Sequence, residues 1–598
     1  MSTTPVDPQD NLRGKAYDAR LIRRLLPYVR PYTGWLALAF GLLVALASVQ
    51  VLQPWLIKLA IDEHIAVKRP EGMGRLALLF LFALVAEFGL RFAQMLVLER
   101  AGQAVIHDLR SAAFSHLQRL PASYFDRNPV GRLITHLTSD VESLNEAFTS
   151  GLVMILADLV KLVAIAVVLF IMDVRLALTA LAVLPPMLLL SFVLRARMRQ
   201  AYREIRALVS RLNGALQENL VGMRVVQMFG REKAQRDEFE TINLGHMRAE
   251  LRGVRFESLF SAVAELMASV TLAALVWAGG GRFIAGAVTF GTLVAFFEYA
   301  GRFFAPLQEL SQRYTVMQTA MVAAERIFRL LDTSAAPDAA VDCGALLPGE
   351  TRGEIVFDRV TFAYDETKPV LHDVSFRIAP GERVAVVGWT GAGKSTLIRL
   401  LVRLYEPTDG HVLLDGVDVR AIPVAQLRRR IGVVLQDNYL FAGSIGSNIS
   451  LGDPRLDSAA IQRAAEAIGA DAFIARFKHG YDEPVAERGS NLSVGEKQLL
   501  CFARALAFDP PVLILDEATA SIDPATESRL TTTVERVMQG RTAVVIAHRL
   551  ATIQNADRVL VLHKGRLVES GTHSELLALD EGLYRALHQL QFGSPRPA

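Results

Sequence analysis

Residues 388–395 read Gly-Trp-Thr-Gly-Ala-Gly-Lys-Ser, a glycine-rich loop that closes on a lysine and a hydroxyl. At Gly388, Gly391 and Gly393 the missing side chain lets backbone N–H groups wrap an anion, and a helix starting just after adds the positive end of its dipole. In this setting Lys394 supplies a point charge to terminal phosphates, and the Ser395 hydroxyl suits a magnesium ion. Thr390 and Thr396 belong to the same phosphate-binding set. The apolar run Val512-Leu513-Ile514-Leu515 ends in two acids, Asp516 and Glu517. Phosphoryl transfer needs one carboxylate for the metal and one for the attacking water, and Asp516 and Glu517 take those roles in that order. By itself such an acid pair reads as a solvated turn; its position after the phosphate loop decides for chemistry.

A phosphate loop works only between a strand and a helix, and the sequence around it has that form. After a small, polar stretch at 332–352, short β-type runs at 355–362, 383–387, 433–435, 512–515, 543–547 and 559–562 alternate with helical ones. The pattern predicts an α/β domain over 353–598 built on a sheet with a parallel core.

The first 331 residues are of another kind. Mean hydropathy is +0.30 over the whole chain, and the apolar runs concentrate here. Runs at 35–57, 76–98, 152–172, 176–194, 258–278 and 290–310 approach the ~20 apolar residues that a helix needs to cross a bilayer. Short connections alternate with long ones at 99–151 and 195–257, and thirteen Lys and Arg lie between Arg195 and Arg255. Positive charge favours the cytoplasmic side, so the long loops, both termini and the second domain are expected there. The loops are helical in pattern and extend the spans. Ahead of the first span Leu21, Leu25, Leu26 and Val29 oppose Arg20, Arg23, Arg24 and Arg30, as in an interfacial helix.

Residues 492–498, Leu-Ser-Val-Gly-Glu-Lys-Gln, stand ahead of the two acids. With that segment in place the chain resembles the ABC (ATP-binding cassette) transporter family, in its half-size exporter class with bacterial multidrug and lipid A exporters. The resemblance spans nearly the whole chain and implies an all-α six-helix transmembrane domain followed by an α/β P-loop ATPase domain. It further implies Tyr364 stacking on adenine, Gln436 at the metal and water, Asp523 in the loop between paired sites, and His548 at the γ-phosphate. Ser493, Gly495 and Glu496 would serve ATP held by a second cassette, so hydrolysis requires a dimer. Glu487-Arg488-Gly489 resembles the segment that contacts membrane loops in such exporters, and loop tips at 128–134 and 217–224 are the expected coupling helices. The function implied is ATP-driven export or flipping of a hydrophobic or amphiphilic substrate by alternating access.

Two positions depart from the usual signature: Val494 replaces a glycine and Glu496 a glutamine. A homodimer is the reading taken, with a heterodimer as the alternative. The other partners expected are membrane lipids and the transported substrate, in the bacterial inner membrane. A net charge of +3 without a long basic block excludes nucleic acid as an expected partner. A soluble ATPase of the chromosome-maintenance type would replace the six spans by a coiled coil. The two cysteines, Cys343 and Cys501, have no metal spacing. Within the spans Glu87 with Arg91, and Asp158 with Lys161, read as neutralising pairs. Glu265 and Glu298 read as unpaired acids that favour a cationic amphiphile.

Overall fold

The structure, a computed structural model, describes residues 19–334, 351–365, 368–516, 532–546 and 550–592. Two compact units emerge. One gathers the described residues up to Leu117 and from Gly131 to Thr333; the other joins Gln118–Val130 to the chain from Ser334 onward.

The first unit is helical. Its long elements are Thr33–Leu59, Met73–Leu117, Val153–Met172, Leu184–Val221, Glu232–Ile284 and Phe290–Asp332. At 1.5 Å per residue, the 53-residue helix Glu232–Ile284 runs about 80 Å, far beyond the ~30 Å hydrocarbon layer. The long loops expected between spans are therefore continuations of the spans. Among the described residues, four helical stretches are long and apolar enough to cross a membrane: Ala19–Ile65, Met73–Leu117, Val153–Met172 and Glu232–Ile284. The run expected as one span at 176–194 is broken into Val174–Leu181 and Leu184–Val221. Pro185 and Pro186 lack the N–H that would continue the first piece, but they fit the opening turn of the second. Asp173 caps Val174–Leu181, accepting from the Leu176 amide at 2.9 Å, and pairs with Arg282 at 2.7 Å.

The N-terminal helix Ala19–Val29 divides its apolar face. Leu25 is buried among Ile327, Phe328 and Ala324, while Leu26 stays exposed. Arg24, placed by the sequence on the polar face, bonds Asp332 at 2.6 Å and lies over the Phe328 ring at 4.5 Å.

The second unit is α/β. Strands β1 (Ile355–Asp365), β2 (Lys368–Ile378), β4 (Asp409–Leu414) and β5 (Val417–Asp418) form an antiparallel sheet in the order β2-β1-β4-β5. A six-stranded sheet adds β3 (Arg383–Gly388), β6 (Ile431–Val434), β9 (Val512–Asp516), β10 (Thr542–Ile546), β11 (Arg558–His563) and β12 (Arg566–Gly571). Its order is β12-β11-β3-β10-β9-β6, parallel throughout except for the edge strand β12. The parallel strands are apolar on both faces, as expected for a sheet covered on two sides: Val384, Val386, Ile514 and Ile546 join one core and Leu513, Leu515, Ala543 and Val545 another. A short pair, β7 (Gly443–Ser444) with β8 (Pro484–Val485), belongs to a lobe whose core includes Leu440, Ile449, Leu492 and Leu500.

Candidate functional site

The phosphate loop hangs from the carboxyl end of β3, where ligands gather in open parallel sheets. Gly388 has φ 154° and a Cβ there would meet the Leu562 carbonyl oxygen at 2.3 Å; Gly393 has φ 101° and its Cβ would strike Leu371 at 2.6 Å. Only glycine fits either position. The helix Lys394–Leu401 follows, so its unpaired N–H groups open into the loop. Lys394 is buried and donates to the carbonyls of Gly388 at 2.6 Å and Trp389 at 3.2 Å, while Thr390, Gly391 and Ser395 are exposed.

Asp516 ends β9 in register with Ile546 of β10, which lies between β9 and β3, so the carboxylate and the loop share one edge of the sheet. Gln436 follows β6 by two residues, exposed, on that same side. A hydroxyl (Ser395), a carboxylate (Asp516) and an amide oxygen (Gln436) make an all-oxygen donor set that fits magnesium. Glu517, the Ser521–Asp523 loop and His548 lie outside the described residues.

Tyr364, half-buried, sits in an aromatic cluster, edge-on to Phe362 at 4.8 Å and to Tyr405 at 5.0 Å. Its hydroxyl is 3.1 Å from Thr396 Oγ1 and accepts from Arg399 at 3.1 Å. The buried Thr396 hydroxyl thus orients Tyr364. Sequence reasoning did not find the second support of this tyrosine: the segment Gln118–Val130, remote in sequence, packs in the same unit. Asp126 accepts from the Tyr405 hydroxyl and Arg127 donates to the Tyr364 carbonyl at 3.3 Å. Burial, with the Asp126 bond behind it, pushes the Tyr405 phenol well above its usual range. Two short helices stand here: Ala122–Arg127, which carries Asp126 and Arg127 and ends where Pro129 holds Asn128 extended (φ −118°, ψ 114°), and Val130–Thr135, which falls within about two residues of the helix expected at 128–134.

The signature segment starts the helix Val494–Leu506. Ser493 caps it, and Glu496, the departure from glutamine, closes a capping box: its carboxylate accepts from Ser493 N at 2.9 Å and Oγ at 2.8 Å. The Glu496 carboxylate, assigned to nucleotide, is thus engaged within its own helix end. Val494 is half exposed and Gly495 is partly covered.

In the helical unit the pairs expected from spacing were half right. Glu87 bonds Arg91 at 3.0 Å, but it also accepts from Gln50 at 2.8 Å and Gln53 at 2.6 Å. Asp158 pairs with Arg313 of the last helix at 3.2 Å and not with Lys161, a partner that spacing along one helix cannot reveal. Lys161 makes no hydrogen bond or ion pair among the described residues, although Arg302, Asp158, Arg91 and Glu87 surround it electrostatically. Among the described residues Arg302 hydrogen-bonds neutral groups, the Gln50 carbonyl at 2.7 Å and Gln53 Oε1 at 2.9 Å. Glu265 and Glu298 are exposed.

Two family profiles match the chain: one described as ABC transporter transmembrane region, over residues 36–307, and one described as ABC transporter, over 371–520. This chain belongs to the ABC transporter family. It is 36% identical over 587 residues to an ABC transporter ATP-binding protein of Bacillus subtilis (strain 168), covering 98% of this chain and 97% of that protein. It is 36% identical over 576 residues to an ATP-dependent lipid A-core flippase of Chromohalobacter salexigens, covering 96% and 98%. A solved bacterial Atm1-family ABC exporter with ATP bound superposes with TM-score 0.75 at 28% identity, over 97% of this chain and all of the other. As an ABC exporter the chain is a multi-pass membrane protein in which an ATPase cassette drives export or flipping of a hydrophobic or amphiphilic substrate. Its half-size architecture makes the working unit a dimer.

Proposed function

We propose that this exporter moves an amphiphile with a negatively charged headgroup across the bacterial inner membrane, as a homodimer whose cassettes lie in the cytoplasm. One observation carries the choice of substrate. Among the described residues neither Lys161 nor Arg302 forms an ion pair, and the two carboxylates that act on Lys161 electrostatically, Glu87 and Asp158, are themselves bonded to Arg91 and Arg313. Lys161 lies eleven residues before the end of Val153–Met172, about 16 Å along the helix and so near mid-bilayer. A cation without a bonded counter-ion at that depth is costly and marks a polar pathway, where an anionic headgroup supplies the direct partner. The lipid A-core flippase relative is consistent with this reading. The exposed acids Glu265 and Glu298 favour the opposite, cationic substrate, so the two readings part in one experiment.

In the cassette, Lys394, Thr390 and the glycine amides would hold the phosphates, Tyr364 the adenine, and Ser395, Asp516 and Gln436 a magnesium ion that neutralises phosphate charge. Glu517 would orient the attacking water, His548 would donate to the γ-phosphate, and Asp523 would join the paired sites. Ser493 and Gly495 of the other copy would close over the γ-phosphate. The exposed apolar tip of Leu220, Val221, Val225, Met228 and Phe229, around the short helix Met223–Met228, suits a coupling element.

The test is ATPase activity of the purified protein in nanodiscs, titrated with a phosphorylated lipid, an amphiphile with a carboxylate headgroup and a cationic amphiphile. Stimulation by the anionic compounds that Lys161→Gln and Arg302→Gln abolish is the expected result. Stimulation confined to the cationic amphiphile and lost in Glu298→Gln would reverse the assignment.

A further inference from the structure

Arg504, near the end of the signature helix, has no place in the nucleotide chemistry, yet its guanidinium is among the most fully engaged in the cassette. Its Nε donates to the Asn448 carbonyl at 2.8 Å, Nη2 to Asn448 Oδ1 at 3.2 Å and Nη1 to the Tyr439 carbonyl at 2.9 Å. No carboxylate pairs with it among the described residues. Asn448, 1% exposed, is held in turn: Oδ1 accepts from the Phe441 amide at 2.8 Å, and Nδ2 donates to the Phe441 carbonyl at 2.8 Å and the Ser444 carbonyl at 3.1 Å. Tyr439 and Phe441 belong to the loop that leaves β6 and begins with Leu435 and Gln436. Leu440, between them, is fully buried in the core that holds Leu492 of the signature segment and Leu500 of the helix it starts. One side chain therefore ties the helix begun by Ser493 to the loop begun by Gln436.

On the proposed assignments those two ends serve different ATP molecules. Gln436 addresses the metal and water of its own chain's site, and Ser493 with Gly495 addresses the γ-phosphate held by the partner's phosphate loop. We infer that Arg504, through Asn448, is a positioning residue that makes the Gln436 loop and the signature helix move as one body, so that ATP at one site of the dimer prepares the other. The inference rests on the roles proposed for Gln436 and Ser493. A planar fork is well matched to this role, because three donors on fixed vectors meet three acceptors from two backbone stretches, a geometry that a lysine ammonium on a flexible stem cannot reproduce. With Asn448 buried and three guanidinium donors fixed by it and by Tyr439, the network is held in one arrangement, which is what transmission of a displacement requires.

The experiment measures ATP hydrolysis against ATP concentration for the full-length dimer in nanodiscs, with Arg504→Gln, Arg504→Lys and Ser493→Ala beside the parent. The parent is expected to show a Hill coefficient between one and two. Arg504→Lys, which keeps the charge and most of the volume, should bring the coefficient to unity and lower kcat about tenfold, while the resting protein's affinity for a fluorescent ATP analogue stays within about twofold. Arg504→Gln should do the same more strongly. A non-cooperative parent would overturn the inference, as would Arg504 variants that keep both cooperativity and kcat. So would variants whose analogue affinity, kcat and unfolding midpoint decline together, since that pattern describes a purely structural arginine. Ser493→Ala separates the premises: parent-like hydrolysis in that variant removes the signature assignment itself, whereas a dead Ser493→Ala beside cooperative Arg504 variants removes the brace alone.

Discussion

At the scale of single residues, Lys394 joins folding to chemistry. It is buried, its ammonium is held by two carbonyls of its own loop, and it opens the helix on which phosphates would rest. Lys394→Ala is expected to lower ATP turnover by about 100-fold or more, the scale of losing one preorganised charge at a phosphoryl site. A colorimetric phosphate assay with thermal unfolding as a control checks it. Asp418 lies on the antiparallel sheet and makes a pH prediction. Burial pushes its carboxyl up, but hydrogen bonds from Arg420 and His411 override that and hold it at about 2. A depressed carboxylate pKa contributes stability above the unfolded value of 3.8 that is lost as pH falls through about 2. The contribution at neutral pH is on the order of 2 kcal/mol. Asp418→Asn should therefore lower the unfolding midpoint at pH 7 and flatten its fall between pH 4 and 2; an unchanged acid limb would contradict the assignment.

At the scale of elements, what was legible in the sequence was whatever is decided locally. The phosphate loop and its helix could be read because Gly388, Gly393, Lys394 and Ser395 act within a few residues of one another. The break of the fourth span at Pro185 was readable in principle but was hidden by an apolar run on both sides. The partner of Asp158 was not readable: Arg313 lies on a helix 155 residues later and reaches Asp158 only through packing, which left Lys161 without the acid that spacing had suggested. The contact of Asp126 with Tyr405 was hidden for the same reason. Glu496 was visible as a departure from glutamine, yet its capping role depends on the conformation of Ser493. The capping box makes a prediction for the helix Val494–Leu506: Glu496→Gln, which can still accept from the Ser493 amide, should leave the unfolding midpoint near the parent's. Glu496→Ala should cost about 1 kcal/mol. Urea unfolding followed by tryptophan fluorescence measures both, and equal effects of the two substitutions would argue against the box.

At the scale of the whole molecule, helices far longer than a bilayer and a parallel-sheet ATPase on one chain explain how chemistry at phosphates reaches an amphiphile in the membrane. The long helices are stiff because their backbone bonds close internally, so a displacement at an end beyond the bilayer is carried into it. Alternating access then follows from two packings of the dimer, with ATP favouring one of them. As the proposed homodimer, this chain uses ATP to move an amphiphile without a different subunit. The most direct measurement reconstitutes the purified chain in liposomes with outward-facing cassettes and a fluorescent phosphorylated lipid, and follows the lipid's passage between leaflets with and without ATP. The parent is predicted to move the lipid with ATP only, and Glu517→Gln is predicted to retain ATP and move none in repeated turnover. Lipid movement in Glu517→Gln at the parent rate, or none by the parent with ATP present and hydrolysed, would contradict the account.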